Sequence, residues 1–207
     1  MAISFNGSTF TIESNAVPNL DFNAKGRFAN AFSTQSQTYT IIVNPSIAAR
    51  QTALSLMYDN AVFLNGVKLD LLAEGCFGVG NGFIGCWDMS SPYRYDPMSG
   101  NSKFGADEHN AHTQPDGTYH YHGNPLALFE QSNPSMPSPV IGFAADGSPI
   151  FGSYIADGNK IRLATTSYKL KSGTRSGGLG GDHDGTFTDD WEYVQDLGDL
   201  DKCDGML

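Results

Sequence analysis

The chain has 207 residues, including 24 Gly, 13 Phe, 9 Tyr and 2 Trp, with only 16% charged residues and a formal net charge of −10. That length can bury a sizeable core without staples, so a bound metal would serve function more than folding. The acidic balance excludes a protein that tracks a nucleic-acid backbone, which needs clustered Lys and Arg, and it suits divalent cations.

From the N-terminus, Ile3–Phe5, Thr9–Ile12 and Thr38–Val43 alternate or carry β-branched residues between turn residues. This pattern predicts short strands in an N-terminal β segment over 1–44. Pro45 stops the third strand. Residues 46–60 form the one predicted helix, with Ser46 as N-cap and Ile47, Ala48, Leu54, Leu56 and Met57 as its apolar positions. Ala61–Leu64 reads as an apolar strand turned by Asn65-Gly66, a strong hairpin dipeptide. In the glycine-laden stretch 75–85, Gly78-Val-Gly-Asn-Gly82 lacks the Lys-Ser/Thr of a phosphate loop and the spacing of a dinucleotide fingerprint, so nucleotide binding is not predicted.

Four of the five histidines then fall within the fourteen residues 109–122, in the run Asp107-Glu-His-Asn-Ala-His-Thr-Gln-Pro-Asp-Gly-Thr-Tyr-His-Tyr-His122. Pro115-Asp-Gly117 has the composition of a three-residue hairpin loop, with Gly in the left-handed position. If Gln114 pairs with Thr118, His112 faces His120 and Asn110 faces His122. His112, His120 and His122 then share one face, while Tyr119 and Tyr121 point to the other as core aromatics. Directly opposed residues have Cβ atoms roughly 4.5 to 5.5 Å apart, close enough for imidazoles to converge on one ion. His109 has the wrong parity and joins only through a bulge. Glu108 shares the parity of His112, so Glu108 and Asp107 are the candidate general bases for a metal-activated water. Imidazole ligands suit zinc or copper, with the fourth position open to water.

Beyond the hairpin, Val140–Phe151 reads as strand, Asp146-Gly147 turn, strand. The loop 173–185 ends in Asp182-His183-Asp184, and His183 is a candidate to complete the imidazole cluster from a distance. Asp182, Asp184, Asp189, Asp190 and Glu192, together with Asp199, Asp201 and Asp204, offer loops for calcium, although without EF-hand order. No Gly-x-Ser-x-Gly elbow is present. Among Cys76, Cys86 and Cys203, any one pair can bridge; an extracellular protein would carry one disulfide, for instance Cys76 with Cys86, and one buried thiol. No run of about eighteen apolar residues occurs and Met1–Gly7 has no basic-then-apolar character, which predicts no membrane span and no signal peptide. The whole reads as one mainly β domain over 1–207, an irregular antiparallel sandwich or barrel with long loops and one short helix.

The run Asn110-Ala-His-x-Gln-Pro-x-Gly-x-Tyr-His-Tyr-His-Gly123 resembles the signature of the YHYH domain family. Asn65-Gly-Val67, Ile141-Gly-Phe-Ala-Ala-Asp-Gly-Ser-Pro-Ile150, Lys171-Ser-Gly-x-Arg175, Asp184-Gly-x-Phe-x-x-Asp-Trp-Glu-Tyr-Val194 and Leu200-Asp-x-Cys203 resemble its other blocks in order, over roughly residues 60–205. Trp191 and Asp204 stand where Tyr and Asn look more usual. The resemblance implies an extracellular or periplasmic location, or a virion-associated one, and it brings no established reaction. The Tyr-His-Tyr-His strand is also similar in local geometry to the His-x-His strand of α-type carbonic anhydrases. A cupin would place Glu at the positions of Leu126 or Ala127.

Three functions are therefore expected in turn. The first is a metal-dependent hydrolase acting on a small polar molecule or a glycan. The second is a cell-surface or virion-associated binding module in which the histidines are structural. The third is a copper-binding protein, although its six methionines form no Met-x-x-Met cluster.

Overall fold

The computed structural model describes residues 1–206 except 24, 27, 51, 83, 84, 103 and 104. Among the described residues thirteen short strands carry the regular structure, in several sheets and no closed barrel. The backbone divides into two compact units. One comprises residues 1–71, 104–133 and 138–152, and the other residues 72–103, 134–137 and 153–207.

The first unit opens with an antiparallel meander of β1 (Ala2–Phe5), β2 (Thr9–Ser14) and β3 (Gln37–Ile42), in the segments where alternation predicted strands. Ile12 and Ile41 from this meander pack with Val62 as a buried cluster, flanked by Phe10, Tyr39 and Phe143. The chain then builds β4 (Ala61–Phe63), β5 (Lys68–Leu69), β6 (Ala111–Thr113), β7 (Tyr119–Tyr121), β8 (Val140–Ala144) and β9 (Pro149–Phe151). These six strands form one sheet in the order β6-β7-β5-β4-β8-β9. Asn65-Gly66 turns β4 into β5 with Gly66 at φ +81, and Asp146-Gly147 turns β8 into β9 with Gly147 at φ +90, so both predicted glycine turns are present. One pairing departs from the antiparallel expectation, because β5 runs parallel to β7 with Lys68 beside His120 and Leu69 beside Tyr121.

The predicted helix over 46–60 is absent. No helix occurs among residues 46–50 and 52–60, and position 51 lies outside the described residues. Ile47, Leu54 and Met57, which would have formed its apolar face, are 92%, 64% and 74% exposed. A helix of this length draws most of its stability from packing such a face, and here Ile47, Ala48, Leu54 and Met57 stay exposed. No described helix is long and apolar enough to cross a membrane.

The second unit holds two antiparallel pairs, β10 (Tyr154–Asp157) with β11 (Lys160–Leu163) and β12 (Tyr168–Leu170) with β13 (Trp191–Tyr193). Phe187, fully buried, gathers Phe77, Tyr93 and Tyr95 around its ring, and the Arg175 guanidinium lies 5.2 Å from the ring centre. Cys76 and Cys86 form a disulfide with Cα atoms 5.7 Å apart. Cys203 is free, but it is exposed and not the buried thiol expected, because the chain around it makes tight local turns about Asp201.

Candidate metal centre

The histidines are positioned by a hairpin whose register follows from its turn. Gly117, at φ +85, lets its N–H reach the Gln114 carbonyl at 2.9 Å, and the Gln114 N–H bonds the Thr118 carbonyl at 2.9 Å. His112 then lies opposite His120 and Thr113 opposite Tyr119, and the His122 N–H bonds the Asn110 carbonyl at 3.0 Å. Segment 30–33 laces the outer edge of β6, through Asn30 to the Thr113 carbonyl at 3.1 Å and Ser33 N–H to the Gly117 carbonyl at 3.0 Å.

Two-residue alternation sends the tyrosines to the opposite face. Tyr119 and Tyr121 are fully buried, and Phe22, Phe28 and Phe63 pack against their rings. Their burial stabilises the hairpin by roughly 2 to 3 kcal/mol per ring, which holds the histidine face rigid. Asn65 Nδ2 donates to the Tyr121 hydroxyl at 3.1 Å.

On the other face the three imidazoles meet tip to tip. The Nε2 atoms of His112, His120 and His122 stand 3.0, 2.9 and 3.1 Å from one another. All three residues are buried, at 6%, 2% and 8% exposure. Nδ1 of His122 lies 2.6 Å from the Leu71 carbonyl and Nδ1 of His120 lies 3.2 Å from the Thr118 carbonyl. A carbonyl only accepts, so each Nδ1 carries the proton, and in a neutral ring the matching Nε2 presents a bare lone pair. Burial, reinforced by the neighbouring imidazoles, holds His120 well below the usual histidine range. Burial and then His112 lower His122 to about 3. His120 and His122 are thus neutral, and with His112 they aim three ring tips at one point. These side chains are close enough to hold one metal ion, and among the described residues they are the group that meets this criterion.

Lys68 and Asp70 add charge beside them. The parallel register sets Lys68 in a row with His120 and His112, and the Asp70 N–H extends that ladder to the Tyr121 carbonyl at 3.0 Å. Asp70 Oδ2 lies 3.8 Å from His120 Nε2. Lys68 Nζ bridges Asp59 at 2.9 Å and Asp70 at 3.1 Å, and Gln114 Nε2 approaches Asp70 at 3.3 Å. Burial raises the Asp70 carboxyl against the pull of Lys68. Two carboxylates and one ammonium leave one negative charge next to the imidazoles, a balance that favours a cation there.

Among the described residues the other sequence candidates are not members of this group. Asp107 holds the turn: Oδ1 accepts the His109 N–H at 2.9 Å and the Ala111 N–H at 3.2 Å, and Oδ2 accepts the Tyr119 hydroxyl at 2.9 Å. Glu108 is half exposed and ion-paired with Lys25 at 3.2 Å. His109 keeps the wrong parity; its Nε2 is buried without a hydrogen-bond partner. His183 lies in the second unit, with Nδ1 likewise unbonded. Asp184 and Asp190 hold Arg175, Asp199 holds Arg162 and Thr165, and Asp201 caps the Cys203 and Gly205 N–H groups.

Asp70 and Lys68 were missed in the sequence. The alternation Lys68-Leu-Asp70 after the Asn65-Gly66 turn places both on one face, but nothing local signals that this strand joins β7 in parallel.

An open β architecture carrying a buried three-imidazole cluster on a hairpin defines the class of protein. The sequence profile described as YHYH protein matches residues 38–207, and the chain belongs to that family. Searches of curated proteins and of solved structures found no match.

Proposed function

We propose that this YHYH protein holds one transition-metal ion, zinc or copper, on His112, His120 and His122, and that it is a metal-dependent hydrolase for a small polar substrate. The observation that carries this reading is the pair of Nδ1-to-carbonyl bonds. They fix the tautomers so that bare Nε2 lone pairs face one another at 2.9 Å. Such a contact is repulsive unless a cation sits among the tips, and a proton is disfavoured there by burial. Carbonyl-anchored imidazoles also match the usual outer shell of a metal-ligating histidine. Three tetrahedral nitrogens at about 2.0 to 2.1 Å from zinc would be roughly 3.3 Å apart, so only a slight spreading of the tips is needed.

Bound zinc would supply a Lewis acid that lowers the pKa of a water toward about 7. Asp70, 3.8 Å from His120 Nε2 and outside the three-histidine group, is the carboxylate placed to take up the proton. Lys68 and Gln114 orient it. With Asp107 and Glu108 engaged elsewhere, Asp70 is the preferred base. The Cys76–Cys86 disulfide supports an oxidising location, extracellular, periplasmic or on a virion.

The burial of all three histidines favours a second reading, a closed structural centre in a binding module. Elemental analysis of purified protein beside a His120→Ala/His122→Ala variant tests metal binding. One equivalent of zinc or copper in the wild type, lost in the folded variant, is expected; a wild type that takes up no metal on reconstitution refutes the proposal. Addition of azide to the cobalt-substituted protein separates the two readings, since a visible spectrum that azide does not alter marks a closed site.

A further inference from the structure

The two glycine-rich stretches that the histidine chemistry leaves unused come together in the second unit, around a cavity of about 610 Å³. Its volume lies within the roughly 300 to 1,000 Å³ typical of small-molecule sites. Asn81 and Gly82 line it from between the disulfide-bonded Cys76 and Cys86, Glu74 from just before Cys76, and Gly180, Gly181 and Asp182 from the later loop. Gly180 and Gly181 hold φ +65 and +71, and a Cβ built on Gly180 would meet nothing within 4 Å, so no side chain fills this side of the cavity.

The polar groups limit what fits. Arg175 reaches the cavity, but its charge is matched by Asp184 and Asp190 and four of its five N–H groups are engaged, with Asp190 through Nε and Nη2, with Asp184 through Nη2 and with the Gly180 carbonyl through Nη1. Among the described lining residues Arg175 is the one cation, already paired with two carboxylates, and the lining carboxylates Asp182 and Asp184 repel an anionic ligand. Nor do those carboxylates converge as a cation site does, because among the described residues the group of three ligating side chains within 4.8 Å is the histidine cluster. What remains is a mixture of acceptors and donors with unused capacity. Glu74 is 6% exposed, yet both of its oxygens look to a single hydroxyl, that of Ser102, at 3.4 Å. One hydroxyl has one proton to give, so the carboxyl keeps acceptor capacity. Asn101 uses one amide proton on Thr186 at 2.8 Å, and Tyr95 adds aromatic surface.

We propose that this cavity is a saccharide site, taking a neutral, hydroxyl-rich molecule of one or two sugar rings with Glu74 as an acceptor for its hydroxyls. Burial pushes the Glu74 carboxyl up to about 7, which lets it meet a neutral ligand near neutral pH at little electrostatic cost.

Saturation-transfer and amide-shift NMR on the full chain test this, using glucose, galactose, mannose, N-acetylglucosamine and their β-1,4 disaccharides as probes. At least one probe should bind at millimolar concentration and shift the amides of Asn81, Asn101 and Thr186. Asn81→Trp, which fills the cavity from an exposed position, should weaken binding about tenfold, equivalent to about 1.4 kcal/mol, with unchanged circular dichroism. Glu74→Gln should weaken it several-fold and carries the test if the tryptophan variant misfolds. Absence of binding by every probe overturns the proposal, as does binding that neither variant alters. Shifts of the same amides by phosphate or putrescine but not by sugars overturn it as well. Metal content does not enter this assay, so its failure leaves the histidine centre untouched.

Discussion

His122 donates its Nδ1 proton to the Leu71 carbonyl at 2.6 Å, which turns its Nε2 lone pair toward His120, 2.9 Å away. One backbone oxygen, next to the strand that carries Lys68, thereby sets the chemistry of the cluster.

Acid should unfold the metal-free protein through this cluster. His122 titrates near 6.5 in the unfolded chain but at about 3 when folded, because burial and His112 disfavour its charge. Between those values the unfolded chain binds more protons. The stability is therefore complete above about pH 6.5 and is lost as pH falls toward 3, by roughly 1.4 kcal/mol per pH unit for one such group. Urea midpoints of stripped protein at pH 7.5 and 5 should show this drop, and a His122→Gln variant should show a smaller one. Equal drops in the two proteins would count against it.

Lys68 holds Asp70 in place. Lys68→Met leaves a largely buried carboxylate unpaired and should destabilise the fold by about 3 kcal/mol or more. Asp70→Asn should keep about one equivalent of metal but lower hydrolytic turnover at least about tenfold. Metal loss in Asp70→Asn would make that residue a ligand rather than a base.

The turn sets the site. Gly117 lies at φ +85, and a Cβ there would stand 2.7 Å from the Ser33 backbone nitrogen. Gly117→Ala should cost about 1 to 3 kcal/mol and weaken metal binding as the β6–β7 register loosens. Calorimetric unfolding with and without added zinc measures both effects.

Removing the disulfide should act elsewhere. Cys76→Ser/Cys86→Ser opens a loop of sequence separation 10 and should cost roughly 2 to 3 kcal/mol. Metal stoichiometry should stay unchanged, because the three histidines belong to the first unit.

The histidine geometry was legible because it is local. Pro115-Asp-Gly117 fixes the register, and period-two alternation then sorts His120 and His122 from Tyr119 and Tyr121. The Asn65-Gly66 and Asp146-Gly147 hairpins were readable for the same reason. Asp70 was not, because its place depends on a parallel pairing between strands separated by some fifty residues of chain. The apolar spacing of Ile47, Leu54 and Met57 misled, since periodicity reports a face but not whether anything covers it.

X-ray absorption at the edge of the metal bound to purified protein reads the ligands of the histidine centre. Three imidazole nitrogens and one oxygen are expected at about 2.0 to 2.1 Å from one zinc or copper. A shell of sulfur scatterers, an all-oxygen shell, or a spectrum unchanged in the His120→Ala/His122→Ala variant would contradict it.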